Sequence, residues 1–299
     1  MPGTHRLRLA GPLDVAASLA GFRRSGDDLI DRWDGDAWLR AVRVDGGMVA
    51  AAARAAGTVR APVLEVEAEA GGDPAAVAGT LAACFVDASA PLARLAEQDP
   101  VVARLAARYP GVRPVLQPDL LTAVVRSISA QQVNLVWACT TRARLARRFG
   151  RRHLVGGREV WSLDAATLAA VEPGALRELQ FTTSKARFIT SFAAAVAAGA
   201  VRSEELAALP DEAVVDRLTA FPGVGRWTAE WFLARTLGRP RVVAGDHGVR
   251  KAVGAAYLDG RMPAEPEVRA ATAHWGEAAG VAQQLLLHWL AQARPGDRP

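Results

Sequence analysis

Residues 218–232, LTAFPGVGRWTAEWF, set two glycines around one valine between two stretches of helical periodicity. Glycine in a helix interior costs about 1 kcal/mol against alanine, so the pair marks a turn and not a continuous helix. DEAVVDRL (211–218) and RWTAEWFLART (226–236) then read as two helices joined by FPGVG, a helix–hairpin–helix. Glycine allows positive φ and close backbone approach. The free N–H groups at the start of the second helix, helped by the helix dipole, read as an outward-facing anion site, with Gly223, Val224 and Gly225 of the hairpin as candidate DNA contacts. A nucleic-acid phosphate suits it, and such contacts position without reading sequence. A helix–turn–helix corner closed by glycine is the plainer alternative. Pro222, the apolar Leu218 and Phe221, and Arg226 favour the anion site. A dinucleotide fingerprint is excluded, because no strand precedes the hairpin and the third glycine is missing.

The rest of the chain narrows the setting. Its 299 residues exceed the usual single domain. The first ninety carry short alternating runs at 37–44 and 61–72 separated by Gly and Asp turns, with helical stretches at 13–22 and 73–85. This reads as an α+β domain with an antiparallel sheet over residues 1–90. Residues 91–299 read as all-helical, broken by a loop with a short hairpin at 150–162. Expected helices include 91–107, 118–129, 131–149, 183–198, 211–220, 225–237, 246–257 and 276–292, many opened by Asp, Ser, Thr or Pro. No run has the length of a membrane span, the N-terminus does not read as a signal peptide, and two cysteines, Cys84 and Cys139, suit a reducing cytoplasm. The net charge of +5 leans mildly towards a polyanion.

Past the hairpin comes AGDHGVRKAVG (244–254), where Asp246 alone reads as an N-cap. Hairpin and Asp246 together resemble the helix–hairpin–helix superfamily of DNA glycosylases, with its segment bearing the catalytic aspartate. Within it the chain is most similar to the bacterial 3-methyladenine DNA glycosylase II family. LQPDLLTAVVRSISAQQVNLVWA (116–138), ELQFTTSKARFITSFAAAVAAG (178–199) and HWGEAAGVAQQLLLHWL (274–290) resemble further segments of that family. The resemblance implies a mainly α helix–hairpin–helix glycosylase fold with an N-terminal α+β domain, and two helical subdomains with a cleft between them. It implies base excision repair: a monomer, cytoplasmic and at the bacterial nucleoid, that removes damaged bases from double-stranded DNA.

The chemistry that the resemblance implies follows from charge. Breaking an N-glycosidic bond develops an oxocarbenium-like sugar. An alkylated purine already carries positive charge and leaves without protonation, so one carboxylate, Asp246, suffices. A flipped base is received between aromatic walls, expected at Trp227, Trp231 and Trp289, where cation–π contact with an electron-poor base is worth about 0.5–2 kcal/mol; tryptophans at helical spacing are otherwise core. Strand-cutting relatives carry a Schiff-base lysine where this chain has Trp227, which implies a monofunctional enzyme. SAQQVN (129–134) aligns with the wedge loop that fills the vacated stack, with Gln132 or Gln131 as wedge. Arg226, Arg250 and Lys251 are candidate phosphate partners. The family hairpin also holds a monovalent cation, Na+ or K+, through main-chain carbonyls, here of Thr219, Phe221 and Val224; no other cofactor is needed. The alternatives are a noncatalytic DNA-binding module, a bifunctional glycosylase/lyase, and a glycosylase retuned to another lesion.

Overall fold

The computed structural model describes residues 3–294, 297 and 299. The N-terminal part contains β1 (Thr4–Arg8), α1 (Val15–Leu19), α2 (Gly21–Arg24), β2 (Asp31–Trp33), β3 (Ala37–Val44), β4 (Gly47–Thr58), β5 (Ala61–Ala68) and α3 (Pro74–Ala82). The five strands form an antiparallel sheet in the order β1-β5-β4-β3-β2. Alternation set β5, whose Leu64, Val66 and Ala68 face inward. The alternating runs do not mark β1, which as an edge strand is barely buried, β2, which has three residues, or β4, whose run of alanines does not alternate. The centre of the sheet is buried on both faces. Trp38, Val42, Ala51, Ala53 and Val66 pack on one side, and Leu39, Ala50 and Ala52 meet Val155 and Val160 on the other. Small alanines in β4 fit a strand with no exposed face.

The helical part runs α4 (Ser89–Gln98), α5 (Pro100–Arg108), α6 (Leu120–Ala130), α7 (Leu135–Phe149), the hairpin β6 (Arg151–Val155) and β7 (Arg158–Ser162), α8 (Ala165–Ala169), α9 (Pro173–Glu178), α10 (Thr183–Ala197), α11 (Ser203–Ala208), α12 (Asp211–Thr219), α13 (Arg226–Arg235), α14 (His247–Tyr257), α15 (Glu265–Thr272) and, after a 3-10 turn at Ala273–Ala278, α16 (Ala279–Leu290). The expected helix 91–107 is two helices. Pro100 cannot continue a helix, and the Asp99 carboxylate caps the new one through the N–H groups of Val101 and Val102. The expected helix 131–149 starts late, because Gln131 is extended, Gln132 has φ 55° and Asn134 caps the N–H of Trp137. Gly276, at φ 47°, likewise delays the last helix.

Two helical cores result. One gathers α6, α7, α10, α12 and α13 around Ile128, Leu145, Ile189, Phe192, Leu218 and Leu233. The other gathers α5, α14, α15 and α16 around Leu105, Val253, Val268, Trp275, Leu285 and Trp289. Packing does not break at residue 90: Phe85 bridges to Val115, and both belong to the core of the sheet. A buried ion cluster also joins sheet and helices, with Asp28 facing Arg126 and Arg142, and Asp31 facing Arg40. Burial alone would raise the Asp28 carboxyl, but the two guanidiniums and the Asp31 N–H outweigh it and hold it below the ordinary range.

Candidate active site

The site grows from the passage of the chain between the two helical cores. Ala229, Phe232 and Leu233 fasten α13 to the first core, and Val249, Ala252 and Val253 fasten α14 to the second. Asp246 is the N-cap of α14 and therefore stands on the seam. The buried amide of Gln283 on α16 steadies the approach, its Oε1 accepting the Val243 N–H at 2.8 Å. Asp246 Oδ1 accepts the N–H of Val249 at 3.0 Å. Its other oxygen, Oδ2, accepts the indole N–H groups of Trp227 at 3.1 Å and Trp231 at 3.2 Å. The carboxylate is half-buried, as are both indoles.

Asp246 caps a helix, as its place before 247–257 predicts, and it also stands between two tryptophans. The tryptophans turn their N–H edges to the carboxylate. One turn beyond Trp231, Arg235 lays its Cζ 5.2 Å from that indole ring and donates to Gln284 Oε1 at 2.6 Å. Burial pushes Arg235 down to about 10, against the pull of Asp246, so it stays a cation at neutral pH. Its spacing from Trp231, one helical turn, was the available signal for it.

Trp289 is a correction. It is 1 % exposed inside the second core, so it offers no face to a base. The C-terminal helix is apolar around most of its girth, which pulls this indole inward. Arg226 is a second correction, since its Nε donates to Glu230 and its Nη2 to Glu212, and that charge serves the fold. Arg250 spends its Nε on the Pro263 carbonyl, whereas Lys251 is exposed.

At the hairpin the two glycines differ. Gly223 has φ 82°, and a Cβ there would lie 2.1 Å from the Phe188 ring. Gly225, the N-cap of α13, has φ −94° and open space where a Cβ would be. Among the described residues the N–H groups of 225–228 find no protein acceptor, leaving an anion site in front of open space. A hollow of about 450 Å³ is lined by residues 219–225. Among the described residues the carbonyls of Thr219 and Val224 accept no hydrogen bond and that of Phe221 takes one, from Val224. Lone pairs thus remain for a monovalent cation, and the residues fit that group.

The loop at 129–134, expected to carry the wedge, leans on the hairpin. Gln131 Nε2 donates to the Gly223 carbonyl at 2.9 Å, while Gln132 is exposed at the tip. Lys185 Nζ, on α10, donates to the carbonyls of Ser129 at 3.0 Å and Gln131 at 2.6 Å. It ties down the end of α6, a role that its own segment of sequence does not reveal.

A sequence profile described as HhH-GPD superfamily base excision DNA repair protein matches residues 125–278. A DNA-3-methyladenine glycosylase of Bacillus subtilis (strain 168) is 25 % identical over 189 residues, which is 62 % of this chain and 62 % of that protein. DNA-3-methyladenine glycosylase 2 of Escherichia coli (strain K12) is 31 % identical over 134 residues, 44 % of this chain and 46 % of that one. The chain thus spans less than two thirds of the length of these curated relatives. Among solved structures, a 3-methyladenine DNA glycosylase from Archaeoglobus fulgidus superposes with a TM-score of 0.84 at 23 % identity, covering 95 % of this chain and 98 % of that chain.

Proposed function

The chain belongs to the HhH-GPD superfamily of base excision DNA repair proteins, and on that premise we propose that it is a monofunctional DNA glycosylase. Its reaction is hydrolysis of the N-glycosidic bond of an alkylated base, of the 3-methyladenine or 7-methylguanine type, flipped out of double-stranded DNA, leaving an abasic site. The observation that carries this reading is Asp246 on the seam between the two cores, both oxygens held by neutral N–H donors. A negative charge so placed, with Arg235 near it but no ion-pair partner in contact among the described residues, stabilises the sugar as it becomes cationic, and preorganised charge of this kind is worth several kcal/mol. The departing base is already positive and needs no acid. Trp227 and Trp231 then serve twice, as walls beside the base and as donors that aim the carboxylate.

No lysine occupies position 227, and Lys185 is committed to two carbonyls. Both facts support hydrolysis by water in place of a Schiff base. The amides in front of Gly225 would hold a backbone phosphate, and Na+ or K+ on the carbonyls of Thr219, Phe221 and Val224 would add positive charge there. Gln132, exposed at the tip, is the wedge; Arg250 and Lys251 lie on α14 beyond Asp246 as phosphate partners. No helix among the described residues is long and apolar enough to cross a membrane. We place the protein, as a monomer, on DNA in the cytoplasm.

The test is a duplex with one 3-methyladenine or 7-methylguanine. Wild-type protein releases the base, and the strand breaks only after alkali. Release by Asp246→Asn at the wild-type rate would overturn the role of Asp246, and strand breakage without alkali would overturn the monofunctional reading.

A further inference from the structure

Residues 120–158 contain eight arginines and no aspartate or glutamate; Arg126, Arg142, Arg152 and Arg158 pair with carboxylates outside the stretch, whereas Arg144, Arg147, Arg148 and Arg151 form no ion pair among the described residues. In the middle of this stretch the first turn of α7 projects from the molecule. Leu135, Val136 and Trp137 are 60 %, 61 % and 37 % exposed, three consecutive members of the short set of large apolar side chains left exposed among the described residues. They directly follow the wedge loop, which Gln131 fixes to the hairpin. Singly exposed apolar residues need no explanation, but three together beside a polar loop mark a contact surface.

The helix continues this surface with charge. Trp137, Arg144 and Arg148 recur at helical spacing along one face, with Arg147 at its border. Arg144 braces the indole, its Cζ 5.4 Å from the ring centroid, and donates to Gln180 Oε1 at 2.5 Å. Arg147 and Arg148 are exposed and, among the described residues, face no carboxylate within ion-pair distance. From Trp137 to Arg147 the helix advances roughly 15 Å, the length of four to five base pairs of duplex. An aromatic tip on a basic stripe suits an opened nucleic acid, which offers base faces and phosphates together. A protein partner would need apolar surface and acid in the same order.

We propose that the projecting turn of α7 and the arginines behind it form a second DNA-contact surface. Trp137 stacks on a nucleobase left unpaired beside the lesion, and Arg147 and Arg148 take phosphates farther along the duplex. The inference rests on the glycosylase reading only for its choice of DNA.

Binding to a duplex with a stable abasic analogue and to its intact counterpart, followed by fluorescence anisotropy over a range of salt, tests it. Trp137→Ala weakens binding to the abasic duplex about tenfold with the salt slope kept, and binding to intact duplex by less than threefold; Trp137→Phe restores most of the loss. Arg147→Ala/Arg148→Ala lowers the slope of log K against log salt by about 2. Unchanged affinity of Trp137→Ala, the result a protein-docking surface would give, or equal loss on both duplexes, overturns the stacking. An unchanged slope for the double variant overturns the phosphate contacts. Wild-type protein that binds the abasic duplex with these signatures, yet releases no methylated base, overturns the glycosylase reading and leaves this one standing.

Discussion

Glu230 and Asp246 are anchored close together around Trp231, and both accept three or more donors, but the donors differ in kind. Glu230 is 1 % exposed, and its Oε1 accepts from Arg226 at 3.1 Å, Arg241 at 3.2 Å and Arg269 at 2.8 Å. Asp246 is half-buried and receives two indole N–H groups and one amide. The charge of Glu230 is cancelled by guanidiniums, and what it does is tie α13 to α15 and to the segment before α14. Asp246 is oriented just as firmly by neutral dipoles and, among the described residues, forms no ion pair, with Arg235 acting on it only from farther off; the proposed reaction would set that charge against a cationic sugar. A carboxylate that is fixed without being neutralised is suited to catalysis, and one that is fixed and neutralised is suited to architecture.

Exchanging each acid for its amide probes that division most severely. Asp246→Asn should lower single-turnover base release about 100- to 1000-fold while binding to lesion DNA changes little. Glu230→Gln should lower stability by about 3 kcal/mol in urea unfolding, because three arginines lose a buried partner, yet leave release per folded molecule within a few-fold. Loss of release in Glu230→Gln as deep as in Asp246→Asn would erase the distinction.

The aiming role of the indoles comes next in size. Trp227→Phe and Trp231→Phe keep a ring but remove one donor each from Asp246 Oδ2, and each should slow release about tenfold at saturating enzyme. Equal rates for these variants and wild type would show that the rings act only as walls.

The glycine pair separates fold from contact in the same way. Gly223→Ala puts a Cβ against Phe188 at positive φ and should cost about 2 kcal/mol of stability. Gly225→Ala has space and an ordinary φ, so its melting should barely move while DNA affinity falls several-fold. Affinity loss that follows stability in both variants would break this contrast.

The smallest effect lies at an exposed acid. Pairing with Arg261 and the Ala264 N–H draws Glu267 down to about 2. Its contribution is therefore present above the ordinary glutamate value of about 4.3 and disappears as pH falls through about 2. Glu267→Gln should differ from wild type in thermal midpoint at pH 7 and converge with it in strong acid.

Much of this was legible along the chain. The break at FPGVG, the strands at 37–44 and 61–68, and the cap at Asp246 obey rules that operate within a few residues: glycine cost, alternation, side-chain capping. Pro100 was legible too, and reading through it merged two helices. What was hidden is partner choice. Arg226 and Arg147 are both helical arginines, the first picked out by its place after the hairpin, but Glu230 and Glu212 engage Arg226 and, among the described residues, no carboxylate meets Arg147. Trp227 and Trp289 are both tryptophans on helices, and only packing sets one at Asp246 and buries the other at 1 % exposure.

By itself the sequence determined where most of the helices lie, that a glycine hairpin precedes a capping aspartate, and which residue types could meet a phosphate or a cationic sugar. These follow from backbone sterics and hydrogen bonding within a turn or two. Only the tertiary structure decided that two indoles hold Asp246, that Gln131 reaches across 92 residues to the Gly223 carbonyl, and which arginines stay free. Those outcomes depend on which distant elements pack together, because a polar group removed from water takes its partner from whatever the fold brings beside it.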